Sequence, residues 1–348
     1  MENNNWLKRT LSIRGMGQVI TIGVGLIVLC VVFGTINPLF FSGNNISNLL
    51  RQIAPILLIG IAQSFVLITG NIDLSIGSVV GMSCMVSATL MTKGVNPWVA
   101  MSITIFICLL TGALNGFLVS GCKLPPFIAT LGTMTIARGV AQIVNNNYNT
   151  KLIGDGPIAN QFRNFFYYGK TIGIYNGVLI AVILWAIFNF LLSKTRTGRH
   201  IYATGSNIEA ARLSGVNILG TVVKAYVISA FCAAIVGIIT TATTGMGTMD
   251  AGNSYELYAV AAAVIGGVST LGGQGILLGT VVGACIWGVL ANGLQFAGAP
   301  VAIRNIVIGI IVVLSVFMDV IVRNGRTDKN RDRDKNKRSN KKIEGINA

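Results

Sequence analysis

Charged residues are scarce along most of this chain. Asp, Glu, Lys and Arg together make up 11% of it, whereas soluble domains carry about 25%. Hydrophobic residues make up 53%, and the mean hydropathy is +0.70. No charged residue lies between Glu256 and Arg304, which leaves room for two membrane spans of roughly 20 residues each. This composition excludes an ordinary soluble domain and predicts a polytopic membrane protein.

Residues that carry catalysis or bind metals are equally few. The single histidine, His200, lies in a polar loop, and the six cysteines lie in or beside separate apolar stretches without paired spacing. The sequence has no H-E-x-x-H motif, no P-loop and no pair of carboxylates within an apolar span. It therefore predicts no enzyme activity, no resident cofactor and no metal site. Energy for transport must then come from an ion gradient or from a separate ATPase.

Apolar stretches long enough to cross a bilayer recur through the chain. Lipid offers the backbone no hydrogen-bond partners, so each stretch is expected to be a helix and the fold class all-α. The ten predicted spans are 17–36, 53–70, 74–92, 97–121, 127–144, 173–193, 222–244, 256–271, 276–296 and 302–322. Residues 1–16 form an N-terminal segment, and residues 17–322 form one transmembrane domain. Residues 323–348 form a basic tail that is predicted to be disordered, either as a solvated flank or as a segment that binds anionic membrane lipid.

The positive charges are distributed unevenly along the chain. The formal net charge of +15 suggests nucleic-acid binding, but the position of the cations favours membrane topology instead. If the N-terminus is cytoplasmic and ten spans follow, nine cations lie inside before the tail, ten lie in the tail and five lie outside. This is the bias of the positive-inside rule, so we expect cytoplasmic N and C termini and no nucleic-acid partner.

A faint internal repeat is present. Residues 76–81 (IGSVVG) resemble residues 278–283 (LGTVVG), and each segment follows a Gly-containing polar break, at 70–73 and 272–275 respectively. Two halves of five spans each would form an inverted 5+5 repeat, because an odd number of spans reverses the second half. Alternatively, Gly and Val patterns recur in membrane helices by composition alone.

Several segments together resemble one known family. Residues 69–78 (TGNIDLSIGS) are similar to the Gly-Gly-Ile-Asp-Leu-Ser-Val-Gly-Ser signature of the ribose-type sugar permeases of ABC importers. The supporting segments, in the order of that family, are PFIATLGTM at 126–134, TGRHIYATGSN at 197–207, EAARLSGV at 209–216, YELYAVAA at 255–262 and IGG at 265–267. The resemblance covers roughly residues 20–322. One departure is Asn71, where the family often has Gly.

The resemblance implies a permease subunit without an ATP site of its own. It implies three partners: a cytoplasmic ABC ATPase that uses the ATP, an extracytoplasmic sugar-binding protein and a second permease copy. Within the polar cytoplasmic loop at 194–221, Glu209, Ala210 and Ala211 with Gly215 resemble the E-A-A-x-x-x-G loop that docks on the ATPase. The Ile-x-Leu-Pro extension of that motif is missing. We predict one short helix at about 207–214, bounded by Gly205 and Gly215, because Gly ends helices readily.

Two further polar segments are candidate sites. Asn71, Asp73 and Ser75 lie in the break between the second and third spans, where they are predicted to line or gate the translocation pathway. The alternative is that Asp73 only caps a helix beginning at Leu74. The second segment, at 145–172, lies outside in the predicted topology, and its charges are candidates for contact with the binding protein. These charges are Asp155, Arg163 and Lys170.

The sequence therefore predicts a permease that imports a monosaccharide, with ribose or a related pentose first, across the bacterial inner membrane. Permeases for nucleosides, autoinducer-2 or branched-chain amino acids are alternatives in the same broad class. A gradient-driven secondary transporter is a rival from another class, and a membrane scaffold without transport is a third. Neighbouring genes for an ATPase and a binding protein would separate these readings.

Overall fold

The computed structural model describes residues 16–154 and 156–300, and residues 302–317 apart from 304, 305, 308, 312 and 315. In chain order its helices are α1 Met16–Ile36, α2 Gly43–Ile68, α3 Ile76–Thr92, α4 Pro97–Ser120, α5 Pro126–Ile143, α6 Pro157–Arg163, α7 Asn176–Lys194, α8 Arg196–Ser206, α9 Ile208–Leu213, α10 Ile218–Thr244, α11 Tyr255–Ile265 and α12 Leu277–Phe296. The shorter elements are a 3-10 turn Pro38–Phe41, a π turn Asn164–Tyr168 and an antiparallel hairpin of β1 Lys170–Thr171 and β2 Ile174–Tyr175. The described residues of 302–317 are helical as well, and the part of the predicted last span beyond 317 lies outside the described residues.

Six helices in the described part of the chain are long and apolar enough to cross a membrane. They are α1, α2, α4, α7, α10 and α12. Two further apolar helices, α3 and α11, have only 17 and 11 residues. The helices confirm the predicted class, an all-α polytopic membrane protein. The span predicted at 256–271 is shorter in the structure, because α11 ends at Ile265 and the two glycines that follow turn the chain.

The second helix begins earlier than the span predicted at 53–70. The Ser42 hydroxyl accepts a hydrogen bond from the Asn45 backbone N–H (3.3 Å) and caps α2. The Asn45 amide also donates to Asn292 Oδ1 on α12 (3.0 Å) and to the Phe40 carbonyl (2.8 Å). The first turns of α2 are thus helical but polar, and a search for apolar stretches therefore places the start of this helix too late.

Helix α2 lies at the centre of the bundle. It packs against α7, α10, α11 and α12. In its apolar 18-residue stretch 83% is buried, compared with 11% in that of α1. Small residues allow the close packing: a methyl group at Gly60 would lie 3.0 Å from both the Ala262 and the Thr280 side chains. A displacement of α2 would therefore be transmitted to four neighbouring helices.

The chain reversals gather at two opposite ends of the bundle. The end that carries residues 69–71, 194–217 and 266–276 is named the α8–α9 end, and the end that carries 37–42 and 144–175 is named the hairpin end. Side chains connect segments within each end. Tyr202 donates to the Gly275 carbonyl (2.6 Å) at the α8–α9 end, and Tyr168 donates to the Thr243 carbonyl (3.1 Å) at the hairpin end.

Two non-helical segments enter the bundle from opposite ends. The first break, residues 69–75, starts at the α8–α9 end and runs along α10, where the Tyr226 hydroxyl donates to the Ile72 carbonyl (2.9 Å). The second break, residues 245–254, starts at the hairpin end and runs along α3. Non-helical backbone at membrane depth is tolerated where protein buries it or where it lines a cavity, so both breaks are candidate functional elements.

The inverted repeat cannot relate the two segments that sequence similarity pairs. A methyl group at Gly272 would lie 2.8 Å from the Gly70 Cα atom, which places the breaks at 70–73 and 272–275 at the same end. An inverted repeat exchanges the two ends of the bundle, so corresponding segments must lie at opposite ends. The first and second breaks meet that condition.

Candidate functional site

The polar loop at 194–221 contains two helices where one is predicted. Asn207 has an extended backbone (φ −162°) and separates α8 from α9, and its side chain accepts from the Ala210 N–H (2.9 Å) to cap α9. Gly205 therefore lies inside α8 instead of bounding the short helix predicted at 207–214. Gly215 does end that region as predicted, with a positive φ of 79°.

Helix α9 presents a mixed polar and apolar surface. Glu209 and Ala210 are exposed, while Ala211 is buried and anchors the helix. Glu209 pairs with Arg212 one turn later (3.1 Å). Leu213 is 89% exposed, an unusual position for a leucine in a loop that lies outside the apolar spans. The exposed surface of α9 thus combines a charged pair with one large apolar side chain.

Helix α8 meets the end of α2 without intervening side chains. A methyl group at Gly205 would overlap the Ile68 carbonyl oxygen and would lie 2.6 Å from the Gly273 nitrogen. The Gly273 N–H donates to the same Ile68 carbonyl (2.8 Å). We name Ile68, Gly70, Gly205, Gly272 and Gly273 the glycine junction, since here three backbone segments lie in direct contact.

A second contact joins α8 to the turn at 266–276. The Tyr202 hydroxyl donates to the Gly275 carbonyl (2.6 Å). Burial raises the pKa of Tyr202 to about 12, so the phenol remains a protonated donor at neutral pH. Because of this bond and the glycine junction, a movement of α8 must also move the end of α2 and the turn that precedes α12.

Asp73 is buried in the first break, with 3% of its surface exposed. Its Oδ1 accepts from the Ser75 N–H (2.9 Å) and from the Ser75 hydroxyl (2.6 Å), and its Oδ2 accepts from the Ser229 hydroxyl on α10 (2.7 Å). A carboxylate can remain buried when hydrogen bonds satisfy its oxygens. The Ser229 bond holds the first break against α10, and the two Ser75 bonds fix the turn within the break.

The bonds of Asp73 belong to a longer network. The Asn115 amide on α4 donates to the Ser75 hydroxyl (2.9 Å), and the Thr133 hydroxyl on α5 donates to Asn115 Oδ1 (2.6 Å). All of these side chains are buried. The network thus connects the first break to α4, α5 and α10. Buried and fully bonded networks of this kind favour one specific packing arrangement.

The predicted pathway residues occupy two different environments. Asp73 and Ser75 belong to the buried network, whereas Asn71 is half-buried and donates to the Thr69 hydroxyl (2.8 Å). Helix α3 begins at Ile76, not at Leu74, and its first turn has no side-chain cap. The interpretation that Asp73 only caps this helix is therefore wrong. Its second oxygen faces Ser229, 156 residues away along the chain.

Two of the predicted rim charges, Arg163 and Lys170, lie at the hairpin end. Arg163 Nε donates to the Ala242 carbonyl (3.3 Å) in the last turn of α10, where a cation is favourable near a helix C-terminus. Lys170 is exposed, and its ammonium lies 4.6 Å from the centre of the Tyr175 ring. Asp155 lies outside the described residues.

Lys170 also lines an open depression of about 500 Å³. Its walls carry the side-chain amides of Asn160, Gln161, Asn164 and Asn176. Beside it, the Arg51 guanidinium lies 3.8 Å from the Tyr167 ring centre and 4.2 Å from that of Tyr175. These cation–π contacts fix the hairpin to the start of α2.

Sequence reasoning identifies Asp73 and Ser75 but misses their partners. Asn115 and Thr133 are ordinary polar residues within apolar helices, and Ser229 lies in a helix distant in sequence. Their only sequence signal is that buried polar residues within membrane helices need partners. Among the described residues, no group of His, Cys, Asp or Glu is placed to hold a metal ion.

The arrangement defines a class: a multi-pass all-α membrane protein with a polar helical loop joined directly to its central helix. The model of a family described as "Branched-chain amino acid transport system / permease component" matches residues 45–316. The chain belongs to this permease family, which places it in the bacterial inner membrane.

The relatives of this chain include permeases named for sugars. It is 36% identical over 296 residues to the ribose import permease of Bacillus subtilis (strain 168), covering 85% of this chain and 91% of that protein. It is 34% identical to the D-allose transport system permease of Escherichia coli (strain K12), over 85% and 90%. It is 31% identical to the fructose import permease of Rhizobium meliloti, over 86% and 84%. No solved structure matches the chain.

Proposed function

We propose that this chain is the membrane-spanning permease subunit of an ATP-driven ABC importer for a monosaccharide. The observation that carries the proposal is the glycine junction, where α8 contacts the end of the central helix backbone to backbone. Such a contact suits a protein that receives force from a soluble partner. The names of the ribose, allose and fructose permeases support a monosaccharide as the substrate, with ribose or a related pentose first.

The topology follows from the distribution of charge. The α8–α9 end is cytoplasmic and the hairpin end faces outward, because the more basic loops remain inside. Ten spans then cross the membrane, and both termini are cytoplasmic. These spans are the six long apolar helices, the shorter α3 and α11, helix α5 and the last predicted span at 302–322. The units that begin with α2 and α10 form an inverted pair, since each consists of a long helix, a break and a short helix. A second permease copy completes the translocation pathway.

Helix α9 docks on the cytoplasmic ATPase through Glu209, Ala210 and the exposed Leu213. Glu209→Lys reverses a charge on this surface and is expected to weaken co-purification of the ATPase. The stability of the permease should not change, because an exposed ion pair is worth only about 0–1 kcal/mol. Asn44→Lys is the control, because Asn44 is exposed at the opposite end, in the first turn of α2. Full ATPase recovery with Glu209→Lys would contradict the docking site.

The hairpin end receives the extracytoplasmic sugar-binding protein. Lys170 and the amides of the depression suit carboxylate groups on the surface of an acidic partner. Lys170→Glu is expected to slow association with the loaded binding protein and to reverse its salt dependence, because rim charges act mainly on encounter rate. Association measured at two ionic strengths checks this. An unchanged rate at both strengths would exclude Lys170 from the interface.

The first break lines the translocation pathway or its gate, with Asn71, Asp73 and Ser75 as the residues involved. Half-buried Asn71 is the member placed to meet a sugar. Asp73 and Ser75 hold the segment in position through the buried network.

The energy source distinguishes an ABC importer from a gradient-driven transporter. Uptake of labelled ribose, allose, fructose and leucine is compared in the native host with and without this chain. We expect loss of the uptake of one sugar and no change for leucine. That uptake should stop when arsenate depletes ATP and continue under a protonophore while ATP is maintained. Uptake that continues after ATP depletion and stops under a protonophore would favour an ion-driven transporter. Loss of leucine uptake alone would favour the amino-acid alternative.

A further inference from the structure

We propose that Arg138 is the positioning residue of an outer gate, and that residues 245–254, the second break, are the gate. Resting on the proposed importer function, the gate would close the outward half of the pathway until a loaded binding protein arrives.

Arg138 is a charged residue within a membrane helix, and its partners lie on the second break. Its Nη1 donates to the Met249 carbonyl (2.8 Å) and to the Ala251 carbonyl (3.0 Å). An intramembrane arginine needs acceptors, and an intramembrane non-helical backbone needs donors. One guanidinium on α5 therefore satisfies two carbonyls that the break leaves outside any helix.

The second break follows α3 from the outer side toward the middle of the bundle. Gly247 lies beside Ala88, Ala251 beside Gly81, and Gly252 beside Gly77. From Ala88 to Gly77 the helix rises about 16 Å at 1.5 Å per residue. The segment thus fills roughly the outer half of a 30 Å hydrocarbon core, a depth at which it can obstruct a pathway.

Glycines of α3 make room for this arrangement. A methyl group at Gly81 would lie 2.7 Å from the Ala251 carbonyl oxygen and 2.8 Å from Arg138 Nη1. Real β-carbons do not approach other atoms this closely, so either the break or the guanidinium would have to move. The close fit means that the break, α3 and Arg138 are positioned together.

The outer part of the break is bonded to the loop that follows α5. The Thr150 N–H donates to the Gly247 carbonyl (2.9 Å), and the Gly247 N–H donates to the Thr150 hydroxyl (2.8 Å). The Met249 N–H donates to Asn149 Oδ1 (2.9 Å). This loop belongs to the hairpin end, where the binding protein is proposed to dock. A displacement of the loop would therefore pull on the gate directly, against the restraint of Arg138.

A cysteine in the gate reports its position without any need for transport. Ala251 is 7% exposed, so Ala251→Cys should react slowly with a membrane-impermeant maleimide added from outside. Labelling is measured above that of the parent chain with its native cysteines. Addition of Arg138→Met removes both hydrogen bonds while keeping a long side chain. We expect labelling at least about tenfold faster, since hydrogen bonds to charged groups contribute about one factor of ten or more each. Arg138→Lys keeps a cation and a donor and should restore slow labelling.

Two further variants keep the test decisive. Gly139→Ala is the control on the same helix, because a methyl group there meets no atom within 4 Å, and labelling should not change. Gly81→Ala displaces the Ala251 carbonyl or the guanidinium without removing the charge, and it should also accelerate labelling. If Arg138→Met is not recovered in the membrane, Gly81→Ala decides alone.

Labelling at the parent rate in Arg138→Met, or in Gly81→Ala where that variant decides, would overturn the proposal. Fast labelling that persists in Arg138→Lys would also overturn it. The result is independent of the proposed function. Failure of ATP-dependent uptake would refute the importer and leave the labelling result standing. Slow labelling of the variant that carries both Ala251→Cys and Arg138→Met, together with ATP-dependent uptake by the parent chain, would refute only the gate.

Discussion

The two breaks in the helical bundle are held in opposite ways. In the first break, the segment itself supplies the charged group: the Asp73 carboxylate accepts bonds from its own Ser75 and from Ser229 on α10. In the second break, the segment supplies only neutral carbonyls, and the charge comes from Arg138 on α5. The first break enters from the α8–α9 end and the second from the hairpin end.

This difference determines how easily each break can move. Asp73 lies at the centre of a network that also includes Asn115 and Thr133, so displacing it disturbs several buried groups together. The second break packs closely against α3, but the charged group bonded to it is the end of one flexible side chain, and the end of an arginine can shift while its stem remains in place. The first break thus behaves as a fixed part of the bundle that moves with α2 and α10, and the second as the more readily displaced segment.

Removal of the Asp73 carboxylate is expected to have the largest effect on the first break. Asp73→Ala leaves the Ser75 and Ser229 hydroxyls without their acceptor, at a cost of about 1–3 kcal/mol for each buried group. Asp73→Asn keeps one acceptor oxygen and should cost less. Thermal unfolding in detergent measures both variants. Parent-like unfolding of Asp73→Ala would show that the network does not fix this break. Parent-like stability of Asp73→Asn with lost uptake would instead show that the charge itself gates transport.

A smaller effect is expected at the edge of the same network. Thr133→Val keeps the shape of the side chain but removes its bond to Asn115 Oδ1 (2.6 Å), and the free energy of unfolding should fall by about 1 kcal/mol. Thr135→Val is the matched control, since the exposed Thr135 hydroxyl bonds only within its own helix. Equal free energies of unfolding for the two variants would mean that the Thr133 bond adds no stability. The network would then end at Asn115, and the first break would be held less firmly.

An effect of similar size is expected at Tyr202, which lies outside both breaks. Tyr202→Phe removes the bond to the Gly275 carbonyl and should cost about 1 kcal/mol of stability at neutral pH. The folded pKa of Tyr202 is raised by burial from 10.0 to about 12. Its contribution is thus fully present below pH 10 and is lost as the pH rises toward 12. The stability difference between parent and variant should stay constant from pH 6 to about 9. If the stability difference changed with pH in this interval, a titrating group other than Tyr202 would be responsible for part of the effect.

The sequence predicts the membrane helices better than their connections. The predicted spans at 74–92, 97–121 and 127–144 agree closely with α3, α4 and α5, because apolar residues dominate these stretches and Arg138 is their single charged residue. The prediction fails where polar residues remain helical, as at the start of α2. It also fails where an extended residue divides a helix, as Asn207 does, because backbone capping depends on local geometry more than on composition.

The candidate site is only half visible in the sequence. Asp73 is conspicuous because charge is rare in this chain, but its second oxygen meets Ser229 only after folding. Gly205 can be predicted to end a helix, yet the structure uses it for close approach to the Ile68 carbonyl. Such roles depend on which distant segments become neighbours, and no local pattern encodes this.

The central claim is that α8 drives the bundle through the glycine junction, and coupling at Gly205 tests it most directly. ATP hydrolysis and sugar uptake are measured together in proteoliposomes containing the full importer. Gly205→Ala forces a methyl group into the Ile68 carbonyl, a clash between backbone atoms that typically costs about 1–3 kcal/mol. Gly220→Ala is the control, because its nearest contact would be an ordinary 3.4 Å. We predict that Gly205→Ala retains the ATPase and hydrolyses ATP but loses most uptake, while Gly220→Ala behaves as the parent. Parent-like uptake with Gly205→Ala would contradict the account.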